Sequence, residues 1–245
     1  MNLLEVQGLC KTYPAFRLED VSFSVPEGAV MGLIGRNGAG KSTTLKSILG
    51  LVHPDAGRVE MFGREFSENE RYIKENIGVV LGGIDFYPKK KVRTITDVTR
   101  RFYSNWQEEK YRHYLDLFAI DENKRVDQLS SGMRVKYLLA LALSHNARLL
   151  ILDEPTSGLD PVSRDELTEL LRRIAADGTR SVLFSTHITS DLEKCASHIT
   201  FIQEGRLQRS DTLAGFMAHY ADLGSTLEEI IVAAERRPYD ADAII

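Results

Sequence analysis

Residues 35–43 have the types and spacing needed to hold a chain of phosphates. They read Gly-Arg-Asn-Gly-Ala-Gly-Lys-Ser-Thr and fit the pattern G-x-x-x-x-G-K-S/T. The glycines allow the backbone to approach a phosphate closely and to wrap it with N–H groups. Lys41 can place its charge against the β- and γ-phosphates, and the Ser42 hydroxyl can bind Mg²⁺. The alternative is an ordinary glycine-rich turn, which a motif of this length disfavours.

A pair of carboxylates forms the second group of residues suited to chemistry. Asp153 and Glu154 follow directly after the apolar residues 149–152. A carboxylate at the tip of a strand beside a phosphate loop suits Mg²⁺ ligation, and its neighbour can orient or deprotonate an attacking water. We therefore assign Asp153 to the metal and Glu154 to the water. A simple turn at Asp-Glu-Pro is the alternative interpretation.

The segments around these residues predict the elements that would position them. Residues 29–34 form an apolar run typical of a buried parallel strand, and residues 42–51 have helical spacing. The N-terminus of that helix would point at the phosphates. A second buried strand is predicted at 148–152, and a helix that begins after Pro161 at 162–176. Further strands are predicted at 3–7, 21–25, 59–62, 77–81, 181–185, 199–203 and 206–209, the last two joined by a turn at 204–205.

Residues 83–145 differ from the rest, because helical patterns at 97–103 and 107–118 occur there without a strong strand signal. We interpret this segment as a helical subdomain inserted into an α/β core. Strands that alternate with helices elsewhere imply a mostly parallel sheet. The predicted divisions are a core at 1–82 and 146–220, the helical subdomain at 83–145, and a C-terminal segment at 221–245 that consists of a short helix (226–236) and a tail.

Composition limits the function classes. The formal net charge is -4 and the pI is about 5.9, so we expect no nucleic-acid partner. The two cysteines lie in no metal-ligand pattern and favour a reducing compartment. We expect no signal peptide and no membrane-spanning segment, because no basic start or long apolar run is present.

Three more motifs complete an ordered series. Residues 129–133 read Leu-Ser-Ser-Gly-Met, residues 157–160 read Ser-Gly-Leu-Asp, and His187 follows the strand predicted at 181–185. With these motifs in this order, nearly the whole chain resembles the nucleotide-binding subunits of ABC transporters. Residues 225–230 are similar to the ATPases that work with separate ABC-2-type permeases. The resemblance implies an α/β fold with a P-loop NTPase (RecA-like) core, a mostly parallel sheet, a small antiparallel β part and a helical subdomain.

The resemblance also implies roles for single residues. Tyr13 matches the aromatic that stacks on adenine, and His187 matches a residue that contacts the γ-phosphate. Ser130 and Gly132 match signature residues that contact nucleotide held by the opposite subunit, and Asp160 matches a loop that links the two sites. The alternatives are a surface aromatic for Tyr13, helix caps for Ser130 and Asp160, and a structural histidine for His187.

ATP and Mg²⁺ are the predicted ligands of the site. Lys41, Glu154 and His187 are the predicted catalytic residues, and Ser42 and Asp153 are the predicted metal ligands. The nucleotide-binding residues are predicted to be Tyr13, Gly35, Asn37, Gly38, Ala39, Gly40, Lys41, Ser42, Thr43, Ser130, Gly132 and Asp160.

Two positions depart from the family pattern. The usual signature is Leu-Ser-Gly-Gly-Gln, whereas Ser131 and Met133 stand at its third and fifth positions here. Gly82 follows the strand at 77–81 where the family has a Gln that binds Mg²⁺. Water or Asp85 would then fill the metal position, and we favour water because Asp85 lies three residues further on.

The sequence thus predicts an ATPase subunit that powers a membrane transporter, with the ABC-2 resemblance favouring export. Two copies, or one copy and a homologue, would enclose two ATP molecules. An integral membrane permease would hold the subunit at the cytoplasmic face as a peripheral protein. The competing hypotheses are a soluble ABC-type ATPase that acts on ribosomes or DNA, and a regulator that binds ATP without turnover. Lys41, Asp153, Glu154 and His187 argue against the second.

Overall fold

The computed structural model describes residues 1–81 and 87–236. The predictions for Gly82, Asp85 and the tail after Pro238 lie outside these residues. Within the described part, no helix combines the length and apolar character needed to cross a bilayer.

Strands and helices alternate along most of the described chain. The strands are β1 Asn2–Tyr13, β2 Phe16–Pro26, β3 Val30–Ile34, β4 Ala56–Met61, β5 Arg64–Glu65, β6 Ile77–Leu81, β7 Leu149–Asp153, β8 Ser181–Thr186, β9 His198–Gln203 and β10 Arg206–Thr212. The helices are α1 Lys41–Ile48, α2 Phe66–Asn76, α3 Val92–Thr99, α4 Glu108–Leu117, α5 Ser131–Ser144, α6 Pro161–Ala175, α7 Thr189–Cys195, α8 Leu213–His219 and α9 Leu227–Glu235. Short 3₁₀ turns lie at Arg100–Phe102 and Val126–Gln128.

The strands form one continuous sheet in the order β5-β4-β1-β2-β10-β9-β3-β8-β7-β6. Strands β9, β3, β8, β7 and β6 pair in parallel, whereas β5, β4, β1 and β2 pair antiparallel. The predicted combination of a mostly parallel core with a small antiparallel part is confirmed. Every residue of β3, β7 and β8 is buried, which is why these strands are continuous apolar runs rather than alternating ones.

Parallel pairing brings three strand ends to one edge of the sheet. Ile34 of β3 lies opposite Thr186 of β8, and Asp153 of β7 lies opposite Ser185 of β8. The phosphate loop, the carboxylate pair and His187 each follow one of these strands, so the register places all three together. This edge is where ligands bind in open α/β sheets.

Helix α5 joins the helical segment to the main core. Tyr137 and Leu141 pack in a cluster with residues of α3 and α4, whereas Leu139 and Leu143 pack under the parallel sheet. The helical segment is therefore continuous with the core through a shared helix. The predicted limits of the subdomain at 83 and 145 stay predictions.

The predicted strands and most of the predicted helices are present, but three helices were not expected. Helix α2 buries only Ile73, so it has no apolar stripe long enough to reveal it. Helices α7 and α8 have seven residues each, shorter than a pattern of two turns needs. The helix expected at 97–103 begins earlier, at Val92, and ends as a 3₁₀ turn. The periodic pattern of apolar residues is weakest in helices that are short or mostly exposed.

A buried hydroxyl cluster organises the helical segment. Thr96 on α3 is 3% exposed, and its Oγ1 lies 2.7 Å from Tyr111 Oη and 2.9 Å from Tyr137 Oη. Burial raises the pKa of both tyrosines, so both hydroxyls stay protonated and neutral. One threonine thus connects the three helices α3, α4 and α5.

We expect Thr96→Val to lower the free energy of unfolding by about 1–2 kcal/mol, because it removes a partner from two buried hydroxyls. Denaturant unfolding followed by the fluorescence of Trp106, which lies 5.2 Å from Tyr111, measures the change. Thr94→Val on the same helix is the matched control, since Thr94 is exposed. Equal midpoints for the two variants would contradict the role of the cluster.

Candidate nucleotide-binding site

The phosphate loop connects β3 to α1 in a conformation that depends on glycine. Gly40 begins α1 with φ 115°, a backbone conformation that side chains disfavour. A Cβ on Gly35 would lie 2.1 Å from the carbonyl oxygen of Ile202 on β9. The backbone of Gly205, in the turn between β9 and β10, donates to the Ala39 carbonyl at 2.9 Å. The loop is therefore held from behind by the sheet while its front faces a cavity.

That cavity has a volume of about 620 Å³. It is formed by the phosphate loop, the end of the β1–β2 hairpin and the loops after β7 and β8. Its lining residues are Ala15, Phe16, Asn37, Gly38, Gly40, Lys41, Ser42, Thr43, Glu154, Ser157 and His187. The three residues predicted to be catalytic thus lie together with most of the phosphate loop.

Lys41 is 5% exposed and its ammonium group is fixed by the loop that precedes it. Nζ donates to the Gly35 carbonyl at 2.7 Å and to the Arg36 carbonyl at 3.2 Å. It also lies 3.4 Å from Glu154 Oε1. The positive charge is therefore already placed in the cavity and is partly balanced by a carboxylate.

Glu154 lies between two of the other functional candidates. Its Oε1 faces Lys41, and its Oε2 lies 2.8 Å from His187 Nδ1. The residue has φ 50°, a conformation that costs free energy outside glycine and that clusters at functional sites. This backbone is supported by a hydrogen bond from Glu154 N–H to Ser185 Oγ at 2.9 Å. The Glu154 carboxylate is thus held beside the phosphate loop, between Lys41 and His187.

Asp153 and Ser42 provide the oxygen atoms that Mg²⁺ prefers. Asp153 is 8% exposed, and its Oδ1 accepts from Ser42 Oγ at 3.1 Å and from Ser185 Oγ at 2.6 Å. Among the described residues, no group of three or more His, Cys, Asp or Glu side chains is arranged so that it could hold a metal ion by itself. A site with two protein ligands fits Mg²⁺, which keeps several of its waters.

Sequence reasoning missed Ser185 as a supporting residue. Its hydroxyl donates to the Asp153 carboxylate and accepts from the Glu154 amide, so it connects both acidic residues. The signal that reveals it is the β7–β8 register, in which Ser185 lies opposite Asp153. That register is a property of the folded sheet.

Phe16 is a second residue at the cavity that sequence reasoning did not identify. Phe16 lines the cavity, and its ring tip would lie 3.0 Å from a Cβ on Gly40. Tyr13 pairs with Phe16 across the hairpin and is 39% exposed, with Lys11 Nζ 5.9 Å from its ring centre. Tyr13 is not among the residues that line the cavity. Its stacking on adenine remains a prediction.

The signature and the Ser-Gly-Leu-Asp loop lie against each other. Ser131 Oγ donates to the Gly158 carbonyl at 3.4 Å, and a Cβ on Gly132 would lie 3.4 Å from Ser163 on α6. We call residues 130–132 and 157–160 the signature surface. Among its residues only Ser157 lines the cavity. Ser130, Gly132 and Asp160 therefore lie apart from the phosphate site of their own chain.

Both predicted helix caps are present on this surface. Ser130 Oγ accepts from Met133 N–H at 3.2 Å, and Asp160 Oδ1 accepts from the N–H groups of Val162 at 3.0 Å and Ser163 at 3.1 Å. Hydrogen bonds from Ser163 and Val162 lower the pKa of the Asp160 carboxyl. The caps fix these side chains, and their action on nucleotide in another subunit remains a prediction.

Known proteins resemble this chain over most of its length. The family model described as ABC transporter matches residues 18–157. The bacitracin transport ATP-binding protein BcrA of Bacillus licheniformis is 32% identical over 209 residues, which is 84% of this chain and 68% of that protein. The Nod factor export ATP-binding protein I of Burkholderia orbicola is 39% identical over 191 residues, which is 76% of this chain and 62% of that protein.

Solved structures agree with this relationship. An ATP-binding subunit of an ABC transporter superposes with a TM-score of 0.85 at 28% identity, covering 96% of this chain and 100% of that one. A dimeric ATP-binding cassette in a post-hydrolysis state, bound to ADP and Pi, superposes with a TM-score of 0.75 at 21% identity. The superposition covers 86% of this chain and 98% of that chain. At this identity, the likeness supports the fold alone.

We expect Ser185→Ala to reduce the kcat of ATP hydrolysis by about 10-fold, because removing a group that orients a metal ligand typically has this effect. A phosphate-release assay at saturating ATP measures the loss. Ser181→Ala on the same strand is the control, since Ser181 Oγ donates to the Pro26 carbonyl away from the cavity. Equal turnover in the two variants would show that Ser185 does not support the site.

Proposed function

This chain belongs to the ABC transporter family, and we propose that it is the ATP-hydrolysing subunit of a membrane exporter. The observation that carries the proposal is the contact of Glu154 with both Lys41 and His187 inside a cavity lined by the phosphate loop. A site that only binds nucleotide has no need for a carboxylate held in this place. ATP binding and hydrolysis are also the shared activity of the family.

The described residues have separate tasks in hydrolysis. Backbone N–H groups of the loop and of the α1 N-terminus bind the phosphates, and Lys41 adds a charge against them. Ser42 and Asp153 would hold Mg²⁺, which would supply positive charge to neutralise the phosphates. Glu154 orients the attacking water and accepts its proton, and His187 holds the carboxylate from the other side.

An incoming phosphate would also change the partners of Glu154. Lys41 Nζ is shared between two loop carbonyls and Glu154 Oε1, and a γ-phosphate carries more negative charge than a single carboxylate. Lys41 would therefore favour the phosphate once nucleotide binds. Glu154 Oε1 would then be available for water, so the base becomes active when its substrate is present.

We propose that a second nucleotide-binding subunit completes the site. Ser130, Gly132 and Asp160 do not line the cavity of their own chain, although their resemblance to the family's signature and loop residues predicts nucleotide contacts for them. A head-to-tail pair, of two copies or of one copy and a homologue, would bring the signature surface of one subunit over the cavity of the other. ATP would then be bound between them, and its hydrolysis would separate them.

We propose an integral membrane permease as the other partner. The relatives in Bacillus licheniformis and Burkholderia orbicola are named as ATP-binding proteins of bacitracin transport and of Nod factor export. By analogy, this chain would supply the energy while a separate component carries the substrate. This arrangement would place the chain at the cytoplasmic face of the membrane, held there through the permease.

The experiment that tests the exporter function uses the tagged full chain in its native cells. We expect detergent-solubilised membranes to yield the chain together with one multi-spanning membrane protein in a fixed ratio. Reconstitution of the pair in vesicles should give ATP-dependent substrate movement. Recovery with ribosomes or DNA and with no membrane protein would favour the soluble ATPase instead. An absence of phosphate release in every preparation would favour the ATP-binding regulator.

We expect Glu154→Gln to lower ATP turnover by about 100-fold or more, because the amide keeps the size of the side chain and loses the basic oxygen. ATP affinity should stay within a few-fold of the wild type, as measured with a fluorescent ATP analogue. Glu166→Gln is the control, because Glu166 is an exposed partner of Lys136. Undiminished phosphate release by Glu154→Gln would remove Glu154 from its role.

We expect the isolated chain to be monomeric without nucleotide and Glu154→Gln to dimerise with ATP and Mg²⁺. Each cavity is incomplete alone, and two protomers of net charge -4 repel each other at low salt. Size-exclusion chromatography with light scattering checks both states. A dimer that resists dilution in nucleotide-free buffer would contradict this expectation.

A further inference from the structure

Helix α9 runs from the apolar cluster under the parallel sheet, which also contains Leu139 and Leu143, to the back of the phosphate loop. It begins with a capping box between Thr226 and Glu229, and Leu227 and Ile230 pack in the cluster. The Leu227 amide donates to Glu193 on α7 at 2.8 Å, and Gln203 on β9 donates to the Ala234 carbonyl at 3.1 Å. The helix is therefore anchored at both ends, and its last residue reaches the loop.

That last residue, Glu235, is 9% exposed and directs its carboxylate at Arg36. Oε1 accepts from the Arg36 backbone N–H at 3.1 Å, and Oε2 lies 3.8 Å from Arg36 Nε. Burial raises the pKa of the Glu235 carboxyl, whereas the contacts with Arg36 and the charge of Lys41 oppose that shift. A buried carboxylate is costly unless it is paired and hydrogen-bonded, and both conditions are met at the loop.

The peptide group between Gly35 and Arg36 is bound at both of its ends. Its carbonyl oxygen, on Gly35, accepts from Lys41 Nζ at 2.7 Å. Its N–H, on Arg36, donates to Glu235 at 3.1 Å. One peptide dipole thus lies between an ammonium group and a carboxylate, and charge-assisted bonds at both ends fix its orientation.

Glu235 binds the loop on the side away from the phosphates. A second cavity of about 1030 Å³ is lined by Arg36, Glu235 and their neighbours on α9 and β9. Asn37 and Gly38 line both cavities, whereas Arg36 and Glu235 line only the second. The carboxylate therefore does not compete with ATP for the loop amides. It stabilises the loop from behind.

We infer that Glu235 is a positioning residue for ATP binding, which acts through the Gly35–Arg36 peptide on Lys41 and couples helix α9 to the phosphate loop. This inference rests on the proposed ATPase function. The coupling is reciprocal, because a helix that stabilises the binding-competent loop must itself be stabilised when nucleotide binds. A residue of helix α9 would thus influence the affinity of the phosphate loop for ATP.

The test compares Glu235→Ala, Glu235→Gln and the control Glu228→Ala, an exposed position on the same helix. We expect Glu235→Ala to raise the KM and the Kd for ATP about 10-fold, as the loss of a charge-assisted hydrogen bond does. The kcat should change little, because the contact is present in both the ground state and the transition state. Glu235→Gln keeps an acceptor oxygen but loses the charge, so it should restore about half of the lost binding free energy. Glu228→Ala should match the wild type.

Hydrogen exchange gives a second readout that a purely structural role would not move. In the wild type we expect ATP to increase the protection of amides in α9, and in Glu235→Ala we expect no increase. The inference is overturned if Glu235→Ala keeps the KM and Kd of Glu228→Ala, even if its melting temperature falls. Wild-type protein that binds no ATP would overturn the proposed function together with the inference. Wild-type turnover with unaltered Glu235→Ala affinity would overturn the inference alone.

Discussion

The parallel pairing of β3, β8 and β7 is the constraint on which the site depends. The phosphate loop, Glu154 and His187 come from three separate parts of the chain, and each follows the carboxyl end of one of these strands. A slip of one residue in either pairing would turn the side chains of a strand to the other face. Because every residue of the three strands is buried, side chains pack on both faces of the sheet, and this packing opposes a change of register.

Within that frame, the charges of the site are arranged as a chain of mutual contacts. His187, Glu154, Lys41 and the Gly35–Arg36 peptide follow one another, with each contact at 2.7–3.4 Å. Asp153 is connected to the same group through Ser185, which also binds the Glu154 amide. No member of this chain of contacts can move far without changing its neighbours. Most of these charges are therefore in place before the substrate arrives, and the proposed rearrangement is confined to Lys41, which exchanges Glu154 for the phosphate.

The sequence was sufficient for the parts of the site that are local in the chain. The phosphate loop and the carboxylate pair are each continuous motifs, and the apolar runs before them predicted their strands. Ser185, Phe16 and Glu235 could not be found in this way, because each acts on a residue far along the chain. Ser185 contacts Asp153 across a strand pair, and Glu235 contacts Arg36 from helix α9. Helices α2, α7 and α8 were missed for a different reason, since they are too polar or too short for periodicity to reveal them.

The phosphate loop shows why a local motif still needs the whole chain. Its sequence supplies the residues that face a phosphate, but its back is held by groups from the second half of the molecule. Ile202 leaves room for no side chain at Gly35, Gly205 bonds the Ala39 carbonyl, and Glu235 bonds the Arg36 amide. A glycine-rich segment loses much conformational entropy when it is ordered, and its own contacts are few. The strand, turn and helix behind the loop offset that cost, so the affinity of the motif for phosphate is a property of the fold as much as of its nine residues.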